Sequence, residues 1–182
     1  MAIRQATEAD IPEVKKIITS LQISREQKEW EKARWGFFEY TKNEQELAAA
    51  LNPYFIVAQT PAGIRGFCLA YDNKFFKKYC GEIRALSWEF LLEGVKGKFL
   101  YVDQLGVSNP ETIGAGKIAR DLANCEIDRA KQEGLERIVE FVCEKPFLNA
   151  RSSNFIEKMG GKRAGVLTTG RGISLGVYFI EL

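Results

Sequence analysis

The sequence contains no histidine. That removes the commonest general base, every Ser–His or Cys–His nucleophile pair and any zinc site built on imidazole. Its four cysteines, Cys68, Cys80, Cys125 and Cys143, are scattered with no C-x-x-C spacing. They point to reduced, unlinked thiols in a cytoplasmic protein rather than to a disulfide framework. Neither sign of charge is in excess: 26 Lys and Arg against 24 Asp and Glu leave a net charge of +2. That is too little for nucleic-acid binding through bulk charge, although a local site for an anion remains open. No apolar run approaches the ~20 residues of a membrane-spanning helix. The opening MAIRQATEAD carries Glu8 and Asp10 and lacks the apolar core of a signal peptide. Repeats, low-complexity tracts and linkers are also missing. The 182 residues therefore read as one cytoplasmic domain spanning 1–182, with neither nucleic acid nor membrane as partner.

The pattern of what is present is α/β. Residues 2–6 predict a short strand. TEADIPEVKKIITSL predicts a helix, capped by Thr7 and Asp10, started by Pro12 and carrying Ile11, Val14, Ile17, Ile18 and Leu21 on one face. NEQELAAALN predicts a second helix that stops before Pro53. YFIVAQT and IRGFCLAYD predict a hairpin around Pro61-Ala62-Gly63. Residues 73–98 read as irregular and aromatic, with a short helix near 82–92. KFLYVDQLGV predicts a strand ended by Asn109-Pro110, and 114–133 a long helix stopped by Gly134. LERIVEFVC predicts a strand, 149–159 a helix, and 162–168 and 172–181 two final strands. The order β-α-α-β-β-β-α-β-α-β-β fits one layered α/β domain.

The segment TIGAGKIARDLA (112–123) carries the densest chemical signal. A P-loop would need Gly at 111 and Ser or Thr at 118, where the chain has Glu111 and Ile118. Gly114-Ala115-Gly116-Lys117-Ile118-Ala119 matches the letters of a dinucleotide loop, with Glu140 at a tolerable distance for a ribose partner. That loop must follow its strand directly. Here Ser108–Thr112 intervenes, Pro110 cannot sit in a central strand, and too little chain follows for the second half of that fold. A nicotinamide oxidoreductase is therefore a remote reading. A third reading keeps the context: strand, proline loop, then glycines opening a long helix. The first turn of a helix leaves N–H groups unpaired and carries partial positive charge, so glycines there admit a pyrophosphate. On the loop alone, a glycine-rich cap that binds nothing stands beside it.

LGVSNPETIGAGKIARDL resembles the acyl-CoA loop of the GNAT N-acyltransferases, a strand ending V-x-x-P followed by [QR]-x-x-G-x-[GA] and a helix. Leu105, Val107, Pro110, Gly114 and Gly116 fit, and Glu111 replaces the usual Gln or Arg. IRQATEADIPEVKKI is similar to that family's first strand and helix, FIVAQTPAGIRGFCLAYD to its second and third strands, and NARSSNFIEKMGGKRAG to its penultimate helix. FLYVDQLGV together with CEKPFLNARS is most similar to a bacterial branch of predicted acetyltransferases of unassigned substrate.

The resemblance implies a mixed sheet of about seven strands flanked by about four helices. The family's fourth and fifth strands, here Phe99–Val107 and Arg137–Cys143, would splay at a notch. It implies acetyl-CoA, or another acyl-CoA, as the carrier. The pantetheine arm would run along Leu105, Gly106 and Val107. The pyrophosphate would rest on Ile113, Gly114, Ala115, Gly116 and Lys117, while Asn149 and Ser152 face the cofactor. The reaction implied is direct attack of a primary amine, on a small molecule or a peptide, in a ternary complex. The Leu105 N–H would stabilise the oxyanion. Asp103, on the same strand and in phase with Tyr101, Leu105 and Val107, is the first candidate base, with burial expected to raise its pKa. Tyr101 is the second. The Tyr that protonates the leaving thiolate in the family aligns with Ile156, which cannot donate. Tyr178 and Cys143 are the substitutes at hand, although Cys143 reads more simply as a buried core thiol. A non-catalytic acyl-CoA sensor of the same fold is the alternative function. Trp30, Trp35, Phe37, Phe38, Tyr71, Tyr79 and Trp88 are expected either to line an acceptor pocket or to serve as core or a homodimer contact.

Overall fold

The computed structural model describes residues 1–23, 37–38, 42–79, 97–168 and 172–182. The described strands are β1 (Ala2–Gln5), β2 (Gln22–Ile23), β3 (Phe37–Phe38), β4 (Phe55–Thr60), β5 (Gly63–Asp72), β6 (Phe99–Val107), β7 (Arg137–Lys145), β8 (Lys162–Thr168) and β9 (Ser174–Glu181). The described helices are α1 (Ile11–Ser20), α2 (Glu44–Ala49), α3 (Asn73–Tyr79), α4 (Ala115–Gln132) and α5 (Ala150–Lys158). Seven strands form one mixed sheet in the order β1-β4-β5-β6-β7-β9-β8, while β2 and β3 make a separate parallel pair. Every neighbouring pair in the large sheet is antiparallel except β6 and β7.

The helix ends follow the capping chemistry of the sequence. Asp10 accepts the Thr7 N–H at 2.8 Å and the Thr7 hydroxyl at 2.9 Å. Arg4 grips the same carboxylate with two 2.7 Å bonds and holds its pKa at about 2. That fork ties β1 to the start of α1. α1 then buries Ile11, Val14, Ile17 and Ile18 at helical spacing. At α2, Asn43 accepts the Glu46 N–H at 2.9 Å while Glu46 accepts the Asn43 N–H at 2.7 Å, a reciprocal cap. One predicted irregular stretch is in fact helical: α3 covers Asn73–Tyr79. Asp72 Oδ1 accepts the Phe75 N–H at 2.8 Å, and Phe76 is buried edge-on against Phe99 and Tyr101. The helix expected near 82–92 lies outside the described residues.

The sheet divides the core into two. On one face, α1 and α2 pack over Phe55, Phe67, Leu69, Tyr71, Tyr101 and Val139. On the other, Leu122 and Ala130 of α4 and Ile156 of α5 pack over Ile56, Cys68, Leu100 and Ile138. Two departures from regular pairing matter for the site. First, Leu69 of β5 faces Gln104 of β6 while Ala70 faces Val102, so Asp103 is the extra residue of a β-bulge. The bulge breaks the expected phase. Tyr101 belongs to the α1/α2 face, whereas Leu105 packs against the α4/α5 face, so Asp103 and Tyr101 do not share a face with Leu105. Second, β6 and β7 pair only from Phe99↔Arg137 to Val102↔Glu140, although β6 runs on to Val107 and β7 to Lys145. Past that last pair the two parallel strands separate, leaving a notch between them.

Candidate functional site

The mouth of the notch is built by the glycine loop. Gly114 caps α4 in the left-handed region at φ 93°, a conformation that costs any L side chain. A Cβ on Gly114 or Gly116 would meet no atom within 4 Å, so no described residue crowds these two positions at the helix end. Around it, Thr112 donates to the Asn109 carbonyl, Ala115 to Thr112, and Lys117 and Ile118 to Gly114. The intervening N–H groups of Ile113, Gly114 and Gly116 are not used in these bonds, as expected of the first turn of a helix. The Ile113 side chain is fully exposed. An uncrowded, donor-rich helix end fits a diphosphate. The Lys117 side chain is turned along the helix instead, pairing with Asp121 at 2.7 Å on the surface.

The wall of the notch is the free edge of β6. Ser108 N–H donates to the Arg65 carbonyl of β5 at 2.9 Å. Because amide direction alternates along a strand, Gly106 also points toward β5, while Leu105 and Val107 present their N–H groups to the notch. Two of the three residues expected to bind an arm therefore offer backbone bonds, and Gly106 contributes closeness instead: a Cβ there would lie 2.7 Å from the Phe67 ring. At the opposite wall, Asn149 Oδ1 accepts the Ser152 N–H at 3.1 Å and caps α5, and the Asn149 N–H donates to the Cys143 carbonyl of β7 at 3.0 Å. Asn149 is buried and Ser152 half-buried.

On the α1/α2 face, Asp103 is held by a partner that the sequence does not reveal. Lys42, just before α2, places Nζ 3.1 Å from Asp103 Oδ2; the two side chains are 8% and 1% exposed. Tyr101 donates its hydroxyl to Asp103 Oδ1 at 3.3 Å. Its ring stacks on Tyr71, meets Phe76 edge-on at 5.1 Å and leans on Phe141 at 5.4 Å. The expected isolated acid in an apolar strand is thus a buried ion pair inside an aromatic frame. Tyr71 is part of that frame. Trp30, Trp35, Trp88 and the side chains of Phe37, Phe38 and Tyr79 lie outside the described residues.

The substitutes for a proton donor are not brought to the notch in one place. Ile156 is a core residue, 2% exposed. Tyr178 is buried on β9. Cys143 is half-buried rather than a core thiol, with Sγ 3.4 Å from the Lys145 carbonyl. Two acids lie closer to the end of the β6–β7 pairing: Glu126, which carries no motif signal in the sequence, and Glu140, which the dinucleotide reading would use for a ribose. Glu126 of α4 and Glu140 of β7 line a cavity of about 10 Å³ under the sheet, together with Cys68, Leu105 and Phe155. Burial raises Glu126 to about 8 and Glu140 to about 7. Glu140 is the final β7 residue in register before the notch opens. It serves no ribose: it faces the interior beneath α4. No cluster of three or more His, Cys, Asp or Glu able to hold a metal occurs among the described residues, nor does any described helix have the length and apolarity to cross a membrane.

No family model and no curated relative matches the chain. Solved structures do. The ribosomal-protein-alanine N-acetyltransferase of Brucella melitensis is similar at 18% identity and a TM-score of 0.64, with 100% of both chains covered. Naa50 of Arabidopsis thaliana, solved with the bisubstrate analogue CoA-Ac-MVNAL, is 14% identical with a TM-score of 0.65, covering 100% of this chain and 98% of that one. The polyamine N acetyltransferase of Drosophila melanogaster, described as forming N acetylagmatine, is 16% identical with a TM-score of 0.64 over 100% and 99%.

Proposed function

The chain has the GNAT N-acyltransferase fold, and on that fold we propose an acetyl-CoA-dependent N-acyltransferase that moves an acyl group to a primary amine on a small molecule or a peptide. The observation that carries the reading is the coincidence of two features in one place. One is a notch whose β6 edge offers the Leu105 and Val107 amides; the other is an uncrowded glycine turn at the N-terminus of α4, directly at its mouth.

Acyl-CoA supplies an activated acyl group as a thioester. The residues account for the rest. The amides of Ile113, Gly114 and Gly116 bind the pyrophosphate. Val107 and Leu105 hold the arm like an added strand, and the Leu105 N–H is preorganised for the oxyanion. With the pyrophosphate at the mouth, the arm would descend toward the apex and bring the thioester near the last β6–β7 pair. The acceptor enters from the α1/α2 face, where Asp103 takes up the amine proton directly or through water. Lys42 pairs with Asp103 at 3.1 Å, and the Tyr101 hydroxyl fixes its orientation.

Calorimetry tests the carrier. The chain is expected to bind acetyl-CoA and not NAD. Tight NAD binding with none for CoA would return the glycine loop to the dinucleotide reading. The sensor alternative, motivated by Ile156, predicts acetyl-CoA binding without thiol release for every amine offered.

A further inference from the structure

On the reading above, the departing sulfur needs a proton, and the helix that supplies an aromatic hydroxyl in related enzymes carries Ile156 in the core instead. We propose that Glu140 is the catalytic acid: its carboxylic proton passes to the thiolate as the carbon–sulfur bond breaks.

Three observations place it. Glu140 sits opposite Val102 in the last registered pair of β6 and β7, the apex toward which the arm would descend. Its side chain lies on the α4/α5 face, since it lines the cavity with Leu105 and Phe155. On the proposed reading the Leu105 amide would receive the oxyanion, so Glu140 on β7 and Leu105 on β6 would flank the same end of the notch. The Glu140 carboxyl has no hydrogen bond or ion pair with a described side chain, and the residue as a whole is half-buried, so its proton is not committed to a neighbouring side chain.

The surroundings keep that proton on. Titratable neighbours are Glu126 from α4 and Cys68 from β5, with Tyr178 of β9 opposite in register. To the cavity, β6 contributes Val102 and Leu105, α5 Phe155, and its C-cap Met159, none of them titratable. Around Glu126 stand Cys125 and Arg129 of its own helix and Glu133 at the helix C-cap. Desolvation raises Glu140 to about 7, against ~8.5 for an ordinary thiol, so transfer to the thiolate runs downhill. The balance is complete. The C–S electron pair goes to sulfur and the Glu140 proton follows it. The amine nitrogen forms the new bond to carbon and loses its proton to Asp103, and solvent re-protonates Glu140.

The test is Glu140→Gln in the full chain, with the wild type measured alongside. Acetyl-CoA affinity by calorimetry is expected to be unchanged, while kcat falls about 100-fold. The wild-type kcat is expected to decline as pH rises through about 7, because Glu140 must be protonated to act, and this limb is absent in the variant. An unaltered kcat and limb in Glu140→Gln overturns the assignment. So does loss of the limb in Glu126→Gln but not in Glu140→Gln. Should Glu140→Gln not fold, a wild-type kcat that keeps rising past pH 8 overturns it equally. A wild type that neither binds acetyl-CoA nor releases thiol overturns the parent reading and takes this inference with it, whereas the other results touch this inference alone.

Discussion

Glu126→Gln should make the protein more stable at neutral pH. Glu126 is 1% exposed, and neither carboxyl oxygen has a hydrogen-bond partner among the described residues. It occupies the stripe of α4 that otherwise buries Ala115, Leu122 and Ala130. Burial raises it from an ordinary 4.5 to about 8. Between those values the folded chain holds a proton that the unfolded chain has released. The folded state therefore loses stability as pH rises across that window, at about 1.4 kcal/mol per tenfold change in proton concentration. From pH 4.5 to pH 7 the loss is about 3 kcal/mol. Glutamine has nearly the same shape, resembles the protonated acid and does not titrate, so its stability lacks this slope. In a chain of this length about 3 kcal/mol corresponds to a Tm gain of roughly 6–12 °C at pH 7, with little difference at pH 4.5. Thermal and urea unfolding of both proteins across pH 4.5–8 measures it. Parallel pH profiles, or a variant less stable than wild type at pH 7, would refute the reasoning.

Other perturbations probe the site. Gly114→Asp puts a side chain and a negative charge on a residue at φ 93° and should weaken acetyl-CoA at least tenfold by calorimetry; unchanged affinity would remove the pyrophosphate from this turn. Asp103→Asn should lower kcat about 100-fold with little change in acetyl-CoA affinity, and an unaltered pH–rate profile would discard Asp103 as base. Lys42→Met strands a carboxylate that is 1% exposed and should cost about 3–5 kcal/mol in urea unfolding; a loss under 1 kcal/mol would mean the pair is not buried in solution. Ile156→Tyr should not install a proton donor. Ile156 packs against the Gly161 backbone in the core, and overpacking there should cost about 1–3 kcal/mol, so a faster enzyme would contradict its placement.

Much of this architecture was legible because it is written in local chemistry. Thr7 and Asp10 announce the start of α1, Gly134 ends α4, and Asn109-Pro110 ends β6. The glycine turn was legible for the same reason: Gly114 caps α4 at φ 93°, a conformation that favours glycine. What escaped depends on long-range contact or on departure from periodicity. Lys42 and Asp103 meet through the tertiary fold alone. The bulge at Asp103 turns a regular alternation into two faces, so Tyr101 and Leu105 part company although their spacing says otherwise. α3 hides because its neighbours, not its composition, bury Phe76. Glu126 looks like an ordinary helix-surface acid until its position beside Leu122 and Ala130 is counted out along the helix. Glu140 drew notice only as a false ribose partner, since nothing in LERIVEFVC reveals where its pairing with β6 stops.

The most direct measurement is acceptor-dependent thiol release from acetyl-CoA, followed by mass analysis of the acceptor, over a panel of peptide α-amines, alkyl amines and polyamines. At least one amine should gain the mass of an acetyl group in step with the thiol released, and Gly114→Asp should abolish both at low acetyl-CoA. Acetyl-CoA binding with no acetylated product from any member of the panel would contradict the account and leave a protein that holds the carrier without using it.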